Sequence, residues 1–306
     1  MSTYALDSHA KAEAPPVAAA PSWLADLTEL FKLRIVAFTA FTAATGFAVA
    51  SPAEVDYSGL FWAVLACVLA AGGSSALNQY LERDTDALME RTRHRPLPAG
   101  RIAPRGALFL GFQLVVAGVT LLALTTNLLA AALLLATVVL YVWVYTPLKR
   151  RTALCTIVGA VPGAMPPLVG WAAATGKIEF GGIVLFAIMF LWQLPHFIAI
   201  GWVYREDYLR GGLRMLTHLD ADGILAARQA FLYSAALFVV GAMPCVAHLA
   251  GMTYLLGSFL LGGAFLVLNL RWNLQPSRKH AYGVFFGSLA YLILLFSLLL
   301  ADRVGA

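Results

Sequence analysis

Charge is scarce in this chain: 12% of its 306 residues are charged against 60% hydrophobic, and the mean hydropathy is +0.78. A soluble domain carries about 25% charged residues, so the composition excludes a water-facing globule. Cysteine is nearly absent too. Cys67, Cys155 and Cys245 fall in separate apolar runs and form no CxxC. That argues against a disulfide scaffold or a cysteine metal site and leaves three small core side chains. The N-terminus lacks the basic start and apolar core of a signal peptide. Residues 1–22, rich in Ala and Pro, read as a disordered tail ahead of a single domain spanning 23–306.

What is abundant is long uncharged sequence. The runs are 35–53, 57–81, 106–148, 152–176, 180–204, 229–270 and 281–301. A helix needs about 20 apolar residues to cross the hydrocarbon, so five of these are single crossings. The runs 106–148 and 229–270 are each long enough for two, with breaks expected at Thr125–Thr126–Asn127 and near His248–Gly251. The expected fold is an all-α membrane protein, a bundle of nine transmembrane helices. In the fifth, Gly159, Pro162, Gly163, Pro166, Pro167 and Gly170 argue for a kinked or broken segment.

The basic residues sort by side. With the N-terminus cytoplasmic, only Lys177 and Arg303 of the 21 Lys and Arg fall outside. This bias predicts a cytoplasmic N-terminus and a C-terminus on the opposite side. The net charge of +5 is therefore a match to anionic membrane lipid and anionic substrate, not to nucleic acid. The two long loops, 82–105 and 205–228, fall on one side and hold most of the polar chemistry.

Four clusters stand out there. Asn78, Glu82 and Asp86 in NQYLERDTD recur every four residues and so share a helical face. Three oxygen donors on one face suit Mg²⁺, although a solvated helix end pairing its acids with Arg83, Arg91 and Arg93 would look the same. Asn78 lies inside an apolar run, where polar residues point to function. The second cluster, RTRHRPLPAGR from Arg91, includes Arg95 and Arg101 around two prolines, a shape suited to bidentate phosphate contacts. The third, YTPLKRR, places Lys149 at a helix end, to contact a diphosphate or merely to anchor at the interface. The fourth has His196 inside WQLPHF, followed by Tyr204-Arg205-Glu206-Asp207-Tyr208. On a helical wheel His196, Tyr204 and Asp207 lie together, with Glu206 elsewhere unless the helix has already ended. His196 is either a packed core histidine or a ligand. Acids for Mg²⁺, cations for diphosphate and a greasy chamber behind them suit a polyprenyl diphosphate.

On these motifs the sequence resembles the UbiA superfamily of intramembrane prenyltransferases, and within it the branch that farnesylates protohaem. The resemblance runs from FKLR at Phe31 to the ninth helix. It implies transfer of farnesyl from farnesyl diphosphate to the vinyl group of haem B, in an inner membrane, ahead of a haem A synthase or a terminal oxidase. By position it implies Asn78, Glu82 and Asp86 in the first Mg²⁺–diphosphate motif, with Glu206 and Asp207 standing in for the second acidic motif. Arg83, Arg91, Arg95, Lys149 and Arg205 fall to the diphosphate, and Trp192, His196 and Tyr204 to the acceptor. Gln79 and Glu82 stand where the superfamily usually has Asp, and Tyr204 and Tyr208 where it has a DxxxD pair; the haem-specific branch looks like this sequence at those places. Rival readings are a sibling enzyme with an aromatic or quinone-precursor acceptor, a transporter, and a haem-binding assembly factor without catalysis.

Overall fold

The computed structural model describes residues 22–51, 54–216, 220 and 222–304; the expected tail, apart from Ser22, lies outside them. Among the described residues nine helices are long and apolar enough to cross a membrane. We number the helices α1 (Trp23–Leu30), α2 (Leu33–Ala50), α3 (Tyr57–Asp86), α4 (Pro104–Thr125), α5 (Leu128–Leu148), α6 (Cys155–Thr175) and α7 (Phe180–Val203). There follow the short α8 (Arg205–Arg210), α9 (Ile224–Val246), α10 (Met252–Leu274) and α11 (Arg278–Ala301). The chain is a multi-pass membrane protein.

Both doubled runs divide where expected, for local reasons. Asn127 leaves the helical region and its side chain caps α5 by accepting from the Ala130 N–H at 2.9 Å. His248 sits at a left-handed φ of 56°, and Gly251 is extended ahead of α10. The sequence did not announce α1. Ser22 caps it, and buried Asp26 ties it to the loop after α3 through Arg101 at 2.8 Å.

Of the kink or break expected in the fifth crossing, the break is absent. α6 runs unbroken through Pro162, Pro166 and Pro167. Its glycines serve close packing instead: a Cβ on Gly170 would collide with the backbone of α2 at Ala43, and one on Gly163 with the Gln193 side chain of α7. Small residues that let backbones approach are the usual glue between membrane helices, where lipid removes the hydrophobic drive to associate. Neighbouring helices thus hold the proline-rich segment in place.

Two cores result. One is shared by α2 to α6, around Phe47, Leu122, Leu134 and Val169. The other is shared by α7 and α9 to α11, around Leu185, Ile188, Trp272 and Phe296. α2 packs on both α6 and α7 and so joins the halves. The mouth is the end of the bundle that carries the 87–103 loop and residues 204–216. At the far end Asn127, Ala172, Ala48, Gly251, Asp302 and Arg303 meet through hydrogen bonds.

Candidate active site at the mouth of the bundle

α3 continues past its apolar run to Asp86, so Asn78, Glu82 and Asp86 occupy one regular helical face, and all three are buried. Each meets a partner from another element. Lys32, just ahead of α2, donates from Nζ to Asn78 Oδ1 at 2.7 Å. Lys149, just past α5, reaches Glu82 Oε1 at 2.8 Å. Arg95 in the following loop reaches Asp86 Oδ2 at 2.7 Å. Asn78 also donates to the Thr146 hydroxyl at 3.0 Å.

A wide turn of α5 delivers Thr146 and Lys149. Leu140–Tyr145 forms a π-helical segment. Pro147 has no N–H to continue the normal ladder, and Thr146 donates to the Tyr141 carbonyl, five residues back, through its backbone N–H and also through Oγ1 at 2.9 Å. Such bulges rotate the turn that follows. Here Thr146 faces Asn78, and Lys149 stands over the Tyr145 ring, 4.6 Å from its centroid, beside Glu82.

The two lysines are tuned in opposite directions. Burial, reinforced by the nearby charges of Arg95 and Lys149, lowers Lys32 to about 7 against the pull of Glu82 and Asp86. Burial also opposes the charge on Lys149, but Glu82, with smaller help from Tyr145 and Tyr141, raises it well above the ordinary lysine value.

The oxygens of Asn78, Glu82 and Asp86 are the donors Mg²⁺ prefers. Each ion pair engages one carboxylate oxygen, Oε1 of Glu82 and Oδ2 of Asp86. No group of three His, Cys, Asp or Glu forms a metal cage among the described residues. The set therefore fits an ion that completes its shell with phosphate oxygens and water, and does not fit a structural metal.

Across the mouth, α7 ends at Val203, with Tyr204 out of helical geometry. The helical wheel that grouped Tyr204 and Asp207 with His196 does not continue through this break. Asp207 is buried and accepts from the backbone N–H of Glu90 at 2.8 Å, the N–H of Arg91 at 3.0 Å and Arg210 at 3.0 Å. Burial works against its charge, but these donors win and hold the carboxyl below the usual aspartate value. Asp207 thus fastens the two long loops together, while Glu206 is exposed.

The structure therefore gathers Asn78, Glu82, Asp86, Arg95 and Lys149. It turns Arg83 away, over the Tyr80 ring and toward Asp84. Arg91 and Arg205 lie on the other lip, in a cleft of about 470 Å³ that also includes Tyr204, Glu206 and Arg278. Deeper on α7, His196 Nδ1 is 2.7 Å from the Ser288 hydroxyl of α11. Its ring lies between Trp192, 5.2 Å away and near-parallel, and Phe285, 4.8 Å away. Phe38 of α2 stacks on Trp192 at 5.3 Å. Four rings from three helices thus form a column below the mouth.

Sequence reasoning missed Lys32, Thr146, Phe38, Phe285, Ser288 and Arg278. In the sequence Lys32 figures only in the Lys and Arg bias and in the FKLR stretch.

Known proteins agree with this architecture. The chain is 42% identical over 298 residues to a protoheme IX farnesyltransferase of Myxococcus xanthus, covering 97% of this chain and 99% of that one. It is 44% identical over 252 residues to a protein of the same name from Solibacter usitatus, covering 82% and 86%. A solved structure of a UbiA homolog from Archaeoglobus fulgidus bound to GPP and Mg²⁺ superposes with a TM-score of 0.64 at 15% identity, covering 90% of this chain and 99% of that one. A structure concerning digeranylgeranylglyceryl phosphate synthase superposes at 0.76 with 16% identity, covering 91% and 98%. Residues 39–298 match the UbiA prenyltransferase family, and to that family the chain belongs.

Proposed function

We propose that this chain is a protohaem IX farnesyltransferase, joining the farnesyl group of farnesyl diphosphate to a vinyl group of haem B and producing haem O. The observation that carries the reading is the stacking of two chemistries at one mouth: three cations gathered on the α3 oxygens, and the Phe38–Trp192–His196–Phe285 column beneath them. The names of relatives that match nearly the whole chain support it.

Lys149, Arg95 and Lys32 bind the diphosphate as it departs with the electron pair of the broken C1–O bond. The incoming negative charge draws Lys32 toward full protonation and draws Lys149 and Arg95 from carboxylate to phosphate. Mg²⁺, held by Asn78, Glu82 and Asp86, would neutralise charge on the leaving group, while exposed Glu206 lies on the other lip. The apolar walls exclude water while the allylic cation lasts, and the aromatic faces stabilise it. The vinyl terminus forms the new bond to C1, leaving a cation on the carbon attached to the macrocycle. Water adds there and loses a proton, giving the hydroxyethylfarnesyl side chain. His196 is placed at the depth of the acceptor, either to ligate iron or to position that water. Asp207 acts by holding Arg91 and its loop.

The Lys and Arg bias supports a reading with the mouth and the N-terminus on the cytoplasmic side, in an inner membrane. The product passes to a haem A synthase or terminal oxidase. Purified protein given farnesyl diphosphate, Mg²⁺ and haem B should yield a porphyrin heavier by one farnesyl group and one hydroxyl. Unchanged haem, alongside prenylation of a phenolic acceptor, would transfer the reading to the quinone-precursor branch.

A further inference from the structure

The second lip holds cations that the diphosphate site leaves unused. Arg205 lies over the Trp202 ring at 4.8 Å, and Arg278, which opens α11, lies over Tyr282 at 5.9 Å. Neither forms an ion pair among the described residues, and both line the same cleft of about 470 Å³. The carboxylates there do not cancel them. Asp207 is spent on Arg210 and two backbone N–H groups, and Glu90 faces Arg210 at 3.4 Å. Only Glu206 is without an ion pair. A guanidinium laid on an aromatic face keeps its edge donors available, and that edge matches a carboxylate bidentately.

The position of this cleft relative to the ring column is fixed by helix register. α7 runs toward the mouth and α11 away from it, with His196 opposite Phe285 and Ser288. Tyr204 is eight residues beyond His196, and Arg278 is seven before Phe285. At 1.5 Å per residue both lie about 10–12 Å toward the mouth from the histidine. A flat acceptor lying against Trp192, His196 and Phe285 would therefore have one edge at Arg205 and Arg278.

We infer that Arg205 and Arg278 form a carboxylate-recognition site for the two propionates of the tetrapyrrole acceptor, separate from the Lys32–Arg95–Lys149 diphosphate site. This rests on the acceptor proposed above and adds how it is oriented. Propionates leave one edge of protohaem and vinyls leave away from it, so holding the carboxylates at the water-facing mouth turns the vinyl edge inward. It also reassigns Arg205 from diphosphate to acceptor.

The test is haem binding by Soret titration of the full chain in nanodiscs without farnesyl diphosphate, using haem B and its dimethyl ester. Arg205→Gln and Arg278→Gln should each weaken haem B about tenfold, and the pair about a hundredfold, as expected for lost hydrogen bonds to a charged group. The ester should bind the wild type about as weakly as haem B binds the double variant, with no further loss in the variants. KM for farnesyl diphosphate should not move. Equal binding of haem B and ester by the wild type would overturn the proposal. So would variants that weaken both ligands alike, because the arginines would then act through packing. Failure of the proposed activity would look different: propionate-selective binding would persist, but the wild type would return the haem unfarnesylated.

Discussion

On the α3 lip of the mouth, each acidic side chain of the face is matched to a cation: Glu82 to Lys149 at 2.8 Å and Asp86 to Arg95 at 2.7 Å. On the α7–α11 lip, Arg205 and Arg278 lie on tryptophan and tyrosine rings with no carboxylate partner among the described residues. The first lip is buried and nearly charge-balanced, so each pair can exchange partners when a multivalent anion and a metal arrive together. The second is open, and its Arg205 and Arg278 form no ion pair among the described residues, which suits it to holding carboxylates. On the proposed reading the contrast follows the reaction: one substrate loses a charged group, and the other keeps its charges throughout.

The largest expected effects come from breaking the charge on the first lip. Glu82→Gln and Asp86→Asn keep shape and hydrogen bonding but remove the charges that would hold Mg²⁺. Each should lower kcat by about a hundred- to a thousandfold, the scale seen when charge-stabilising groups are lost, while the protein still inserts and purifies as a folded monodisperse species. Near-normal rates at saturating Mg²⁺ in both would dissolve the distinction between the lips.

Smaller effects should follow from the cations that face those acids. Lys149→Ala and Arg95→Ala should raise KM for farnesyl diphosphate by about ten- to a hundredfold. Steady-state kinetics with each substrate varied separately would reveal it, and the KM for haem B should stay within about threefold. Equal damage to both would mean that the two lips share one site.

The smallest effect is expected at the joint between the lips. Asp207→Asn leaves an acceptor but removes the charge that binds the Glu90 and Arg91 N–H groups. It should cost about 1 kcal/mol, speed hydrogen exchange of those two amides several-fold and raise both KM values a few-fold. Unchanged exchange with a selective loss of Mg²⁺ dependence would mark Asp207 as a metal ligand instead.

Much of the fold was legible because a bilayer imposes a length, and the apolar runs obey it. The breaks at Asn127 and His248–Gly251 were legible because a capping side chain and a left-handed backbone are local events. The acidic face of α3 was legible for the same reason, since a four-residue spacing on a helix needs no tertiary knowledge. Long-range choices were not legible. Lys32 meets Asn78 across 46 residues, and Asp207 meets Arg91 across 116. Nothing near Lys32 distinguished a substrate cation from an interfacial anchor. Arg83 was misleading: it lies beside Glu82 in sequence, yet one helical step of about 100° turns it off that face and over the Tyr80 ring. The prolines of α6 left a kink or a break open in isolation, and α2 and α7 pack closely enough on its glycines to hold it as one helix.

The claim that the lips divide the two substrates is tested most directly by measuring binding of each substrate alone to Lys149→Ala and to His196→Ala. Farnesyl diphosphate is followed by calorimetry and haem B by its Soret band. The expected pattern is crossed. Lys149→Ala should lose the diphosphate by tenfold or more and bind haem B normally. His196→Ala should bind the diphosphate normally and lose productive haem farnesylation, with a shifted Soret band if the imidazole ligates iron and an unshifted one if it positions water. Loss of both substrates in both variants, or the reverse pairing, would contradict the account.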